Sequence, residues 1–268
     1  VKLFGRERKG AEGDAAQMTL MDHLRELRNR LIKSVIVIVL GGIVCYVFYD
    51  QIFRLAIHPY CVAVQGTKHD CQLYLPDLLN GFLLRMKVAT YGGLIVALPV
   101  ILWQLWRFIM PALYKNERRY AISFVGTSVL LFALGAVLAY YTLPAMYKWL
   151  AANSGPSDQL VVIQSADRYF WLSAMMMLGF GVGFEFPIIL VALQLVGVLK
   201  TSTLAHFRRQ AVVIIVVLVA VITPGGDPIS LIALSIPMYL FYELSILIGW
   251  LVNRRRVKAV APAAAEAT

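Results

Sequence analysis

Six apolar stretches recur along the 268-residue chain, and charged residues bound each of them. In hydrocarbon no water is at hand to satisfy backbone N–H and C=O groups, so a stretch of about twenty apolar residues must close its hydrogen bonds within itself, as a helix. Apolar residues make up 60% of the chain, charged residues 15%, and the mean hydropathy is +0.72. Soluble domains carry about 45–50% apolar and about 25% charged residues. The expected fold is therefore an all-α integral membrane protein, with six transmembrane helices in a concave bundle. The spans fall at about 31–49, 82–106, 121–141, 169–198, 211–223 and 229–250. Residues 31–250 read as a single membrane domain, preceded by an N-terminal segment (1–30) and followed by a tail (251–268) that is basic and then disordered.

The spans are unequal. The fifth has about thirteen apolar residues before Thr223, Pro224, Gly225 and Gly226, and so must thin the bilayer or hide behind partners. The fourth, near thirty residues, must tilt or kink, with a break or bend expected at Pro187. Pro99 and Pro237 mark kinks in the second and sixth, and Pro111 interrupts the end of the second. Nineteen of the 25 Lys and Arg residues lie at one set of span ends and six at the other. The positive-inside rule then puts both termini in the cytoplasm and the loop holding Cys61 and Cys71 outside. The net charge of +10 follows from this clustering at span ends, so lipid headgroups rather than nucleic acid account for it. Facing an oxidising compartment, Cys61 and Cys71 pair as a structural disulfide; otherwise they are two free thiols. Cys45 sits in the first span as a core residue.

Three carboxylates stand out. Glu185 is the only one in the fourth span, where a charge near the bilayer centre costs roughly 3 kcal/mol on insertion scales. It reads either as interhelical glue or as a polar site in a groove or pathway, and Gly179, Gly181 and Gly183 beside it favour close packing or a concave surface. Glu26 lies off the apolar stripe of an amphipathic helix (Leu20, Leu24, Leu27, Leu31) that leads into span one. Its plainest role is a local pair with Arg30, four residues on. Glu117 stands near the start of the third span's helix, where a carboxylate complements the helix dipole. Together the three point to a surface for something cationic.

Catalytic signatures are missing. No His-Glu-x-x-His, Gly-x-Ser-x-Gly, Walker loop or Cys-x-x-Cys occurs, and His23, His58, His69 and His206 lie in different segments. No enzyme activity, metal or cofactor is expected. Trp103, Trp106, Tyr140, Tyr141, Trp149, Tyr169, Trp171 and Trp250 fit interfacial belts.

Several blocks resemble the TatC family, the multispanning core subunit of the twin-arginine protein translocase. They are His23 to Leu31, Leu98-Pro99, Trp103 to Ile109, Pro111 to Tyr114, Glu117-Arg118-Arg119, Phe180 to Pro187, Thr223-Pro224, Asp227 and Ile236 to Tyr239. Cys61 and Cys71, with His58-Pro59-Tyr60, look like an actinobacterial variant. The resemblance covers roughly residues 20 to 250. It implies a receptor in the bacterial plasma membrane that binds twin-arginine signal peptides of folded cargo. Glu26 and Glu117 would each hold an arginine, with Arg28, Phe108 and Leu113 shaping the site. It also implies TatA-type and TatB-type single-span partners, met at Glu185 and Thr223, further copies of the chain itself, and surrounding membrane lipids. Near the start of span six the family often has a polar residue where this chain reads Ile229-Ser230-Leu231-Ile232, so the docking cluster would be smaller or use Ser230. The rival reading is a proton-coupled small-molecule transporter that uses Glu185. The lack of an internal repeat weighs against it.

Overall fold

A computed structural model describes residues 20–64, 71–113, 118–153, 164–223 and 226–265. The described residues form eight helices: α1 Leu20–Val47, α2 Tyr49–Val64, α3 Leu78–Leu113, α4 Arg118–Ala152, α5 Ala166–Val196, α6 Thr201–His206, α7 Arg208–Ile222 and α8 Pro228–Ala265. Five of them are long and apolar enough to cross a membrane: α1, α3, α4, α5 and α8. The short fifth apolar stretch is α7, with 15 residues, or roughly 22 Å at 1.5 Å per residue.

Helix α5 is the centre of the bundle. Some 56% of its most apolar window is buried against other helices, against 11% for α1. Around it the main core gathers Tyr169, Met176 and Phe180 of α5, Leu143 and Met146 of α4, Val219 of α7, and Leu234 and Met238 of α8. A second cluster joins Leu102 and Trp106 of α3 to Val125 and Phe132 of α4 and to Ile188 of α5. By contrast, Ile32, Ile36, Leu40 and Ile43 of α1 are exposed, as befits a surface that faces lipid.

Glycine sets how closely the helices approach. Helices α1 and α3 run antiparallel, with Gly41 against Gly93 and Cys45 against Gly92; a Cβ at Gly93 would lie 2.5 Å from the Gly42 nitrogen. Helices α4 and α5 meet the same way, for a Cβ at Gly135 would lie 2.6 Å from the Phe180 carbonyl oxygen, and one at Gly181 would strike the Phe132 ring. Lipid tails are as apolar as the side chains, so such close contact, rather than a hydrophobic drive, is what holds membrane helices together.

At one end of the bundle, α2 packs on α4 and α5. Tyr140 and Tyr169 each donate a hydroxyl hydrogen bond to an α2 carbonyl, of Leu55 (2.9 Å) and Ala56 (2.5 Å). The segment after α2 is tied down twice. Cys61 is joined to Cys71 by a disulfide, with Cα atoms 4.9 Å apart. Tyr74 pairs with the entry to α5, its N–H donating to the Gln164 carbonyl and its carbonyl accepting from Ala166 N–H, both at 3.0 Å. Ser165 caps α5, and Lys87 of α3 pairs with Asp167 at 2.5 Å.

Four features depart from the sequence expectations. The first half of the loop after span one is the helix α2. Helix α3 continues through Pro111 to Leu113, where the sequence predicts an interruption, and α5 runs through Pro187 without a break. Neighbouring helices allow a proline to sit inside a membrane helix without ending it. The tail is helical to Ala265 rather than disordered from Ala259, because alanine readily extends a helix that α8 has already nucleated. Finally, Trp106 and Tyr169 are 2% and 0% exposed and belong to the core, not to an interfacial belt.

The glycine contact makes a sharp prediction. Gly93→Leu drives a side chain into the α1 backbone and is expected to destabilise the protein by about 1–3 kcal/mol, the usual range for overpacking. Gly126→Ala, where a Cβ meets nothing within 4 Å, is expected to be neutral. Thermal unfolding of the two variants in one detergent checks the pair.

Candidate functional site

The end of the bundle opposite the disulfide is where α1 begins and α3 ends. Glu26 lies on α1, half-buried, and Arg30 one turn further on donates from both Nε (3.1 Å) and Nη2 to Glu26 Oε1. Arg30 Nη1 also reaches across to α3, to the Gln104 carbonyl and Oε1, each at 3.4 Å. The register is that of the glycine contact below it: where Gly41 faces Gly93, Arg30 faces Gln104. One turn beyond Gln104 comes Phe108, so Phe108 and Glu26 fall level on neighbouring helices. Arg28 is exposed on α1, Phe108 is half-buried and Leu113 ends α3. Glu117 falls in the connection 114–117 to α4, outside the described residues.

A second polar group lies on the other face of α3. Trp106 Nε1 donates to Ser128 Oγ at 2.8 Å, and Ser128 Oγ donates to Glu185 Oε2. One chain of hydrogen bonds thus ties α3, α4 and α5 together. All three residues are buried, Glu185 at 8% exposure, and the Phe124 ring stands 5.3 Å from that of Trp106. Glu185 Oε1 is buried with no hydrogen-bond partner among the described residues. Close approach at Gly135 and Gly181 brings Ser128 within reach of the carboxylate, since Phe132–Gly181 and Ser128–Glu185 are successive turns of one antiparallel pair. The sequence reading found Glu185 but missed both partners. A lone serine in an apolar span gives no signal, and Trp106 looks like any interfacial tryptophan.

Two positions apart on a helix means about 200° of rotation and 3 Å of rise. Trp106 therefore points away from both Gln104 and Phe108, and α3 is a wall shared by the Glu26 region and the Glu185 cluster. Thr223 stands apart from both, at the end of α7. It is buried, and its hydroxyl donates to the Val219 carbonyl at 2.8 Å. The exposed face of α7 is instead Val213, Ile214, Val217 and Val221. Ser230 is buried as well, with its N–H bonded to Asp227 Oδ1 at 2.7 Å. Among the described residues no three His, Cys, Asp or Glu side chains come together as a metal site would require.

The described residues thus form an all-helical integral membrane protein with a carboxylate at one bundle end and a second buried among its helices. The comparisons are specific. The family described as Sec-independent protein translocase protein (TatC) matches residues 22–237, and the chain belongs to this family. A TatC protein of Frankia casuarinae is 38% identical over 248 residues, spanning 90% of this chain and 68% of that protein. One from Aquifex aeolicus is 36% identical over 240 residues, spanning 89% and 98%. A crystal structure of the twin-arginine translocase receptor TatC superposes with a TM-score of 0.71 at 36% identity, covering 86% of this chain and 99% of that one. The chain is thus a translocase component rather than an enzyme, and the small-molecule transporter reading is set aside.

The hydrogen-bond chain predicts coupling. Ser128→Ala leaves Glu185 and Trp106 each short of a buried partner and is expected to destabilise by about 1 kcal/mol. In a double-mutant cycle with Glu185→Ala the two losses should fail to add by about 0.5–1 kcal/mol, read from unfolding midpoints. Additive losses would mean that the two residues act independently.

Proposed function

We propose that this chain is the receptor and core subunit of a translocase that exports folded proteins, and that it recognises cargo through a signal peptide bearing two consecutive arginines. The supporting observation is the α1–α3 register, which sets Glu26 level with Phe108 at the bundle end where α3 leads into the Glu117 connection. A guanidinium pairs bidentately with a carboxylate, and a lysine ammonium cannot copy that geometry. Glu26 already accepts a guanidinium, that of Arg30, on its Oε1. In this reading one signal arginine exchanges with or joins Arg30 at Glu26, and the other is held by Glu117, the primary contact. Phe108 and Leu113 flank the apolar side chains that follow. Arg28, exposed on α1 two positions from Glu26, shapes the approach to that carboxylate.

The imbalance of Lys and Arg between the two sets of span ends supports a plasma-membrane protein with both termini in the cytoplasm and the Cys61–Cys71 disulfide outside. Residues 31–250 then act as one six-span membrane unit, with α7 as its short fifth span. The proposed contacts for TatA-type and TatB-type single-span subunits are the helices that enclose Glu185 (α3, α4 and α5) and α7. At the Thr223 end a partner would meet the outward valines rather than the hydroxyl. Further copies of the chain would complete the assembly.

Purified protein in nanodiscs is expected to bind a twin-arginine peptide and to discriminate against the same peptide with both arginines changed to lysine. Glu26→Gln and Glu117→Gln should each weaken binding by about tenfold or more, the loss of one charge-assisted hydrogen-bonded pair. Equal binding of both peptides by all three proteins would reject the carboxylate clamp.

A further inference from the structure

The receptor reading makes no use of an open groove of about 1030 Å³ between the last turns of α5, the short α6 and the outer half of α8. Polar contacts fix its shape. Gln194 of α5 donates to the Ser245 carbonyl of α8 and accepts from Thr201 Oγ1 of α6, both at 3.1 Å. Tyr242 of α8 donates to the Leu204 carbonyl at 2.8 Å, which clamps α6 to the bundle. Gly197, at φ 84°, makes the tight turn that carries the chain from α5 to Lys200.

The lining divides by chemistry along its length. Leu240, Leu244 and Leu247 of α8 form an exposed aliphatic wall. Lys200 and Arg208 stand on the α6 side. Arg208 pairs with Glu243 at 3.1 Å yet keeps half its side chain exposed, so its remaining N–H donors stay open to another acceptor. Trp250 closes the outer end, with the Arg254 guanidinium 5.0 Å above its ring. Three cations against one carboxylate leave the site positive.

Depth matters too. Glu243 lies nine residues before Val252, the end of the α8 candidate span, or roughly 14 Å along the helix. The groove therefore runs from the headgroup level at Trp250 into the hydrocarbon. Beside it α7, at 15 residues, falls short of the roughly 30 Å core, and where lipid meets that helix a thinned bilayer would bring headgroups down towards Arg208. A molecule with an anionic head and an aliphatic tail matches this wall from end to end.

We propose that the groove is a binding site for one anionic phospholipid, its phosphate held by Lys200 and Arg208 and an acyl chain lying along the α8 leucines. Delipidated protein in detergent, titrated with phosphatidylglycerol or phosphatidylcholine and weighed by native mass spectrometry, tests it. The expected result is one retained phosphatidylglycerol, bound about tenfold more tightly than phosphatidylcholine. Lys200→Gln combined with Arg208→Gln should abolish that preference, whereas Arg54→Gln, on α2 at the other end of the bundle, should keep it. Leu247→Trp fills the aliphatic wall, leaves both cations in place and should weaken both lipids, which keeps the test decisive if the double variant fails to fold. Equal retention of the two lipids, or binding unchanged in Leu247→Trp, would overturn the site. So would displacement of the lipid by a twin-arginine peptide, which would assign the groove to the signal, or a second copy of the chain in its place.

Discussion

Hiding apolar surface from lipid gains a membrane helix almost nothing, so what holds this bundle together is how closely its backbones approach. Gly41 and Gly93 let α1 lie on α3 although most of α1 is exposed, and Gly135 and Gly181 do the same between α4 and α5. Each contact fixes a register, and each register then determines which polar side chains meet. Following α1 and α3 three turns along from their glycines leads to Arg30 opposite Gln104, with Glu26 level with Phe108. On α4 and α5, one turn from Phe132 and Gly181 leads to Ser128 and Glu185.

Helix α3 is common to both arrangements. One face carries Gln104 and Phe108 towards α1, and the other carries Trp106 into the hydrogen-bond chain that ends on Glu185. Arginine recognition at Glu26 and a partner contact at Glu185 would therefore act on opposite sides of the same turns of one helix. A displacement of α3 by an arriving signal would carry Trp106 with it, and Trp106 donates to the Ser128 that in turn donates to Glu185. The short α7 adds a second asymmetry, since at 15 residues it falls well short of the other apolar helices on the flank where the α5–α6–α8 groove lies.

The spans themselves were legible because hydrocarbon imposes a length and a composition that show in any apolar stretch. The i,i+4 pair of Glu26 and Arg30 was legible too, since helical spacing alone creates it. Pro111 was a poor guide: α3 continues through it to Leu113, because packing neighbours can satisfy what a proline leaves open. Trp106 was misplaced for a related reason. Tryptophan favours both interfaces and well-packed interiors, and only the position of Ser128 decides between them here.

The sequence by itself determined that the chain lives in a membrane, where its long apolar helices lie, that one apolar stretch is short, and which carboxylates lie where a charge is expensive. These follow from composition and period, which are local properties. The tertiary structure decided that α5 is central, that Glu185 is bonded to Ser128, that Thr223 turns inward, and that Lys200 and Arg208 flank one groove. These depend on contacts between residues tens of positions apart, set by backbone approaches at a few glycines, and no local pattern in the chain encodes which glycine meets which helix.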